Sequence, residues 1–307
     1  MVNINKFYSY NNKSLPKGCK MCVKGEKLVL FVTGLCPRKC YFCPVSDEKS
    51  GRDVAFANER RVFSSEDVIK EAELMKAKGV GITGGDPLVK IDRTTRFITK
   101  LKKKFGKQFH AHLYTSLRLV NDDVLQKLYM AGLDEIRFHL DLESGQFWNR
   151  LAIARKFPWQ VGVEIPLIPG KEKELRKLID YVHDKIDFLN LNELEVADNK
   201  CSKLLEMGFK VKDEMSYAVK DSLELGLKLI KHVEEKDFDL NVHVCTAKLK
   251  DATQLTERIK REAKYSHKDF DIVDKEGMLT RGALYLDSLK PGVGYRESLK
   301  EDHSAVI

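Results

Sequence analysis

Three cysteines stand close together in Cys36-Pro-Arg-Lys-Cys40-Tyr-Phe-Cys43, a Cys-x3-Cys-x2-Cys triplet. Thiolates are the preferred ligands of iron–sulfur clusters, and a [4Fe–4S] cube normally needs four of them. Three in one tight loop can hold three irons and leave the fourth open. An open iron accepts a ligand from outside the protein, which turns an electron carrier into a catalyst. The triplet is also compatible with a zinc site lacking its fourth ligand, or with three buried thiols. Zinc sites usually come as paired Cys-x2-Cys clips, and no second clip of that spacing follows. A closed electron-carrying cluster would need a fourth cysteine, which the local spacing lacks.

The triplet directly follows the apolar run Leu28-Val-Leu-Phe-Val-Thr33, which reads as a buried strand ending in a loop. One unit later, Val80-Gly-Ile-Thr-Gly84-Gly85-Asp86-Pro87 reads as a second strand running into a glycine turn. Alone, such a turn is as well explained as plain strand punctuation. Together the two segments resemble the radical S-adenosylmethionine (SAM) superfamily. That family carries this cysteine spacing after the first strand of a partial (β/α) barrel, with an aromatic residue before the last cysteine, here Phe42. Its glycine turn usually reads Gly-Gly-Glu-Pro and receives the amino group of SAM. Gly84, Gly85 and Asp86 therefore take that part, with Asp86 one methylene shorter than the family's Glu. The resemblance implies a [4Fe–4S] cluster on Cys36, Cys40 and Cys43, with SAM on the open iron. One electron then cleaves SAM to methionine and a 5′-deoxyadenosyl radical, which abstracts hydrogen from a substrate.

In parallel barrels the reacting groups gather at the C-terminal strand ends. The resemblance places Ser116 and Asp141 there as contacts to the ribose or carboxylate of SAM, although each is equally an ordinary cap. Asn192 follows an apolar strand and is a candidate partner for adenine or ribose, with a structural polar cap as the alternative. Residues 165–170 occupy the place of the family's adenine-contacting segment without its glycine pattern. Cys19 and Cys22 form a separate Cys-x2-Cys clip before the first strand, and His243 and Cys245 end a later one. If they converge they make a second site, for zinc or an auxiliary iron–sulfur cluster. Otherwise Cys245, like Cys201, is a small buried hydrophobe.

The elements that would position these groups alternate strand and helix from about residue 28 to residue 245, the pattern of a parallel α/β fold. Strands are expected at 28–33, 80–83, 110–115, 135–140, 162–168 and 188–194, with a seventh apolar alternation at 239–244. Helices are expected at 64–78, 94–105, 121–132, through 147–148, at 171–185 and at 221–235. The count suits an incomplete (β/α)6 barrel over 28–246, with a small extension over 1–27 carrying the clip. Residues 247–307 read as a C-terminal helix and hairpin appendage, the hairpin turning at 275–277 and the tail frayed from 298.

The chain has 307 residues, 33% of them charged, so one barrel-like domain fits and no segment approaches a membrane span. The N-terminus shows no apolar signal region, so a cytoplasmic, reducing setting is expected, in which seven cysteines argue for metal rather than disulfides. The net charge of +8 fits an anionic partner such as RNA, or a lysine-rich solvated surface. Size and the shortage of accessory modules resemble the activating enzymes of the pyruvate formate-lyase type, and archaeal members of that group. These place a radical on a glycine of a protein partner. RNA modification, a small-molecule reaction, and an iron–sulfur carrier without SAM turnover are the alternatives. A ferredoxin or flavodoxin is the expected electron donor.

Overall fold

The computed structural model describes residues 4–282. In chain order the strands are β1 (Tyr10–Asn11), β2 (Lys27–Phe31), β3 (Ala55–Ala57), β4 (Arg60–Val62), β5 (Gly79–Thr83), β6 (His110–Ser116), β7 (Glu135–His139), β8 (Gln160–Leu167), β9 (Phe188–Glu193), β10 (Asn241–Cys245), β11 (Ile272–Val273) and β12 (Leu279–Thr280). The α-helices are α1 (Lys17–Cys22), α2 (Ser65–Leu74), α3 (Ile91–Phe105), α4 (Asp122–Ala131), α5 (Leu151–Ala154), α6 (Glu172–Val182), α7 (Ser222–Glu235), α8 (Ala247–Leu249) and α9 (Thr256–Ser266). One sheet runs β1-β10-β9-β8-β7-β6-β5-β2-β3-β4. From β2 to β10 its neighbours pair in parallel, and the sheet is closed off by antiparallel β1 at one edge and the β3–β4 hairpin at the other. The seventh apolar alternation thus joins the six expected strands as a further parallel member of the same sheet.

The helices form because their apolar residues recur at helical spacing. Thr94, Phe97, Ile98 and Leu101 bury one face of α3, and Leu175, Leu178, Ile179 and Val182 do so on α6. Ser64 and Asp67 close a capping box at the start of α2, while Asn121 caps α4 and Gly132, at φ 96°, ends it. Helix α2 stops at Leu74, short of the expected residue 78, because the chain turns through Lys76 at φ 44°.

Strand residues alternate faces. On β6, Ala111 and Leu113 enter the core against the helices, whereas His110, His112 and Tyr114 form a chain of neighbouring rings on the other face. The same alternation puts Glu135 and Arg137 of β7, Glu164 of β8 and Asn190 and Asn192 of β9 into one hydrogen-bonded set. The barrel lumen is therefore polar, and Arg137 sits between two carboxylates, 2.5 Å from Glu135 and 2.8 Å from Glu164.

Residues 4–27, within the expected extension, pack against the barrel. Strand β1 pairs with β10, and α1 enters the lumen, where Gly18 donates its N–H to Glu135 Oε2 at 3.1 Å. A Cβ on Gly18 would lie 2.5 Å from Arg137 Nη2, so only glycine lets the helix come this close. Helix α9 packs beside this segment, with the Glu257 backbone against Gly25, and Arg261 donates to the carbonyls of Met75 and Lys76. The expected C-terminal hairpin exists as β11–β12, and Gly277 of its turn lies against Lys260 of α9. The expected frayed tail from residue 298 lies outside the described residues. No helix among the described residues is long and apolar enough to cross a membrane.

Candidate active site

Strand β2 delivers the chain into a long loop that carries the cysteine triplet. Cys36 is exposed, Cys40 and Cys43 are half-buried, and all three are free thiols. The N–H of Cys43 donates to the Cys40 carbonyl at 3.1 Å, which tightens the turn between them. The glycine turn after β5 braces the loop from beneath: Gly85 N–H donates to Thr33 O at 2.7 Å and Asp86 N–H to Leu35 O at 2.9 Å. A Cβ on Gly84 would meet Thr33 O at 2.5 Å, and one on Gly85 would meet Leu35 O at 2.4 Å. Both glycines are thus required by the close approach of two backbones.

Asp86 is buried, and its carboxylate accepts from Thr115 Oγ1 at 2.7 Å, Ser116 Oγ at 2.8 Å, Ser116 N–H at 3.2 Å and Leu88 N–H at 3.1 Å. Burial pushes its carboxyl up, against these four donors. Asp86 and Ser116 thus engage each other and tie the ends of β5 and β6 together beneath the loop. Asn192 likewise donates to Glu164 Oε1 at 3.0 Å, within the lumen floor.

Beside the triplet lies a cavity of about 130 Å³, lined among others by Cys40, Phe42, Arg118, His139, Asp141 and Lys171. Phe42 packs over His139 with ring centroids 5.7 Å apart. Arg38 donates to the His139 carbonyl at 3.0 Å, and both Arg38 and Arg118 come within 3.8 Å of Asp141 Oδ2. Asp141 also accepts from Glu143 N–H at 3.2 Å, so it caps its own turn while facing the cavity. Burial, with Arg38 adding repulsion, pushes His139 down to about 3, which keeps its ring neutral at physiological pH.

A further layer has no local signal in the sequence. The segment after β9 folds back over the cysteine loop: Asn199 Nδ2 donates to Cys43 O at 3.0 Å and Lys203 N–H to Tyr41 O at 2.6 Å. It brings Cys201 beside the loop, with Sγ 3.1 Å from Ser50 Oγ. Arg38 and His139 were legible at best as a basic residue in the loop and a strand end. Cys201 carries no local signal, being far from Cys43 in sequence.

The residues of the triplet fit an iron–sulfur cluster by donor chemistry: three free thiols of one loop, held at a cavity mouth on a glycine cradle. Burial pushes each thiol up, Cys36 to about 11, so the thiols bind metal by losing protons to it. Among the described residues no three His, Cys, Asp or Glu side chains already surround one point at metal-ligating distance. At the triplet the loop is partly exposed and can close on a cube. The surroundings of the second candidate set, Cys19, Cys22 and Cys245, differ: Cys19 and Cys245 are buried. Cys19 and Cys245 lie in a small apolar cluster with Leu15, Val23 and Leu249. Cys19 Sγ already accepts from Arg137 Nη2 at 3.5 Å and Asn190 Nδ2 at 3.4 Å. Burial raises Cys19 and Cys245 and takes Cys22 to about 12, and His243 bonds Ser9 at 3.1 Å.

The sequence profile of the radical SAM superfamily matches residues 30–156. The chain is 44% identical over 294 residues to a Methanocaldococcus jannaschii protein named "Putative glycyl-radical enzyme activating enzyme MJ0021", covering 93% of this chain and 77% of that one. It is 28% identical over 140 residues to biotin synthase of Pseudoalteromonas translucida, 44% of this chain and 38% of that enzyme. Among solved structures, methylornithine synthase (PylB) superposes with a TM-score of 0.46 at 15% identity, over 76% of this chain and 79% of that one. The matched profile spans the triplet, the glycine turn and the strands that carry them, and the chain belongs to the radical SAM superfamily.

Proposed function

We propose that this enzyme is an activating enzyme, which uses a SAM-derived radical to remove hydrogen from a glycine of a partner protein. The single observation that carries the reading is the half-exposed thiol triplet at a cavity mouth, braced by Gly84 and Gly85 and set on the open end of an incomplete barrel. The name of the M. jannaschii relative supports the choice of substrate class.

Cys36, Cys40 and Cys43 would hold a [4Fe–4S] cluster, which when bound supplies the electron that splits SAM. The chain's own groups do the rest. The Gly84–Gly85 turn is the expected seat of the amino group of SAM. Arg38 and Arg118 offer cationic donors for a carboxylate at the mouth, and Asp141 fixes both. Neutral His139 beneath Phe42 gives the cavity a flat wall that neither donates a charge nor takes up a proton near pH 7.

The shallow mouth also suits a peptide better than an enclosed small molecule, because the segment folded over the loop presents Leu205, Met207, Met215 and Tyr217 to solvent. After anaerobic reconstitution, the Cys40→Ala variant is expected to lose most of its iron and all dithionite-driven formation of 5′-deoxyadenosine. Retained turnover would refute the assignment. The glycine target is tested by mixing the reduced enzyme and SAM with a glycyl-radical protein and looking for its doublet by electron paramagnetic resonance.

A further inference from the structure

A second concave feature lies apart from the mouth and shares no lining residue with it. A groove of about 550 Å³ lies between the hairpin end at Val62–Phe63, the start of α2 and the first turns of α3. Its walls carry four cations, Arg61, Arg93, Arg96 and Lys100, against two carboxylates, Asp53 and Glu66. Arg93 is used structurally: it holds Asp53 through Nη1 at 2.6 Å and Nη2 at 3.2 Å, and donates to Val32 O at 3.1 Å. Asp53 in turn accepts from Thr33 Oγ1 at 3.0 Å, so the floor of the groove is bonded to the base of the cysteine loop. Arg61 and Arg96 have no carboxylate partner among the described residues. Arg61 instead lies 5.2 Å from the ring of Phe63, which is 81% exposed. An aromatic ring standing out among unpaired guanidinium groups is the composition of a protein-binding anchor.

We propose that this groove docks an acidic one-electron carrier protein, which reduces the cluster through the base of the cysteine loop. The proposal rests on the reading of the triplet as a cluster site. In the step itself the carrier loses one electron and the cluster gains one; no bond forms or breaks. Position selects this partner over the substrate. Hydrogen abstraction needs the substrate inside the mouth at Cys40, His139 and Asp141, whereas the groove is walled by the β3–β4 hairpin, α2 and α3 and shares no residue with that mouth. Electron transfer has no need of contact with SAM, only of closeness to the cluster. Charge selects it too, since complementary patches steer association and set its salt dependence. The same basic surface could be offered to RNA, which the test separates.

The experiment uses the full chain, reconstituted anaerobically, with a reduced acidic 2[4Fe–4S] ferredoxin as the probe. Calorimetry gives its affinity at about 50 mM and about 500 mM NaCl, a range across which screening grows severalfold. Stopped-flow absorbance gives cluster reduction by ferredoxin and by dithionite. The Arg61→Glu/Arg96→Glu double variant is expected to weaken ferredoxin binding and ferredoxin-driven reduction at least about tenfold, with dithionite-driven reduction unchanged. Phe63→Ala should weaken binding with little change in its salt slope. Unaltered ferredoxin affinity in the double variant overturns the proposal, as does equal loss of both reduction routes. Loss of tRNA binding in that variant with ferredoxin binding intact overturns it in favour of RNA. Failure of dithionite to drive SAM cleavage in the unaltered protein would instead defeat the cluster reading, while the calorimetry still decides the docking.

Discussion

At the scale of single residues, the cysteine spacing was readable because all three ligands lie in one short loop, where local sequence fixes geometry. Gly84 and Gly85 were readable as a turn, but their reason was not: each is glycine because the cysteine loop passes within van der Waals contact. The partners of Asp86 were also hidden, since Thr115 and Ser116 lie 29 and 30 residues further along and meet it only through β-pairing. Gly84→Ala must push a Cβ against the Thr33 carbonyl, and overpacking of that kind costs about 1–3 kcal/mol. A lower urea midpoint and less iron per chain after reconstitution are expected; a midpoint equal to that of the unaltered protein would contradict the backbone-contact account. Asp86→Ala leaves two buried hydroxyls without their acceptor, a loss of about 1–3 kcal/mol in the same assay.

At the scale of elements, the alternation of strands and helices was legible because each strand carries an apolar face toward the helices. The burial of the other face is not legible locally. The pattern His110-Ala-His-Leu-Tyr-Thr-Ser looks half solvated, yet both faces are buried and the polar one fills the lumen. The packing of α1 is not legible in the sequence, because six residues carry too little periodicity to show which face they bury. The β3–β4 hairpin was missed for the same reason, with three residues in each strand. Arg137 is the test at this scale. Arg137→Met leaves Glu135 and Glu164 buried without their cation, and breaking such a pair costs about 3–5 kcal/mol. The melting temperature should fall by about 5–8 °C, or the protein should fail to accumulate; an unchanged melting temperature would show that the lumen network is dispensable.

At the scale of the whole molecule, three histidines inside the barrel couple stability to pH. Burial pushes His110 down to about 2 and His243 to about 4, and holds His112 well below its ordinary value. In the unfolded chain the same rings protonate near pH 6.5. Between those values the unfolded state binds more protons, so stability is fully present above about pH 6.5 and is lost as pH falls toward 4. At pH 5.5 each histidine withdraws about 1 kcal/mol relative to pH 7. Denaturant midpoints should drop accordingly, and flat midpoints from pH 7 to 5.5 would rule the effect out. The overall charge of +8 reads as dispersed in sequence, and only folding gathers Arg61, Arg93, Arg96 and Lys100 around one groove.

SAM binding needs one iron to be free, and Cys201, with its Sγ 3.1 Å from Ser50 Oγ beside the cysteine loop, is a thiol that could deny it. The direct measurement is the electron paramagnetic resonance spectrum of the reduced, reconstituted protein with and without SAM. A spectrum that changes on adding SAM, equally in the unaltered protein and in Cys201→Ala, is the predicted result. A spectrum indifferent to SAM, or one that responds only once Cys201 is removed, would contradict it.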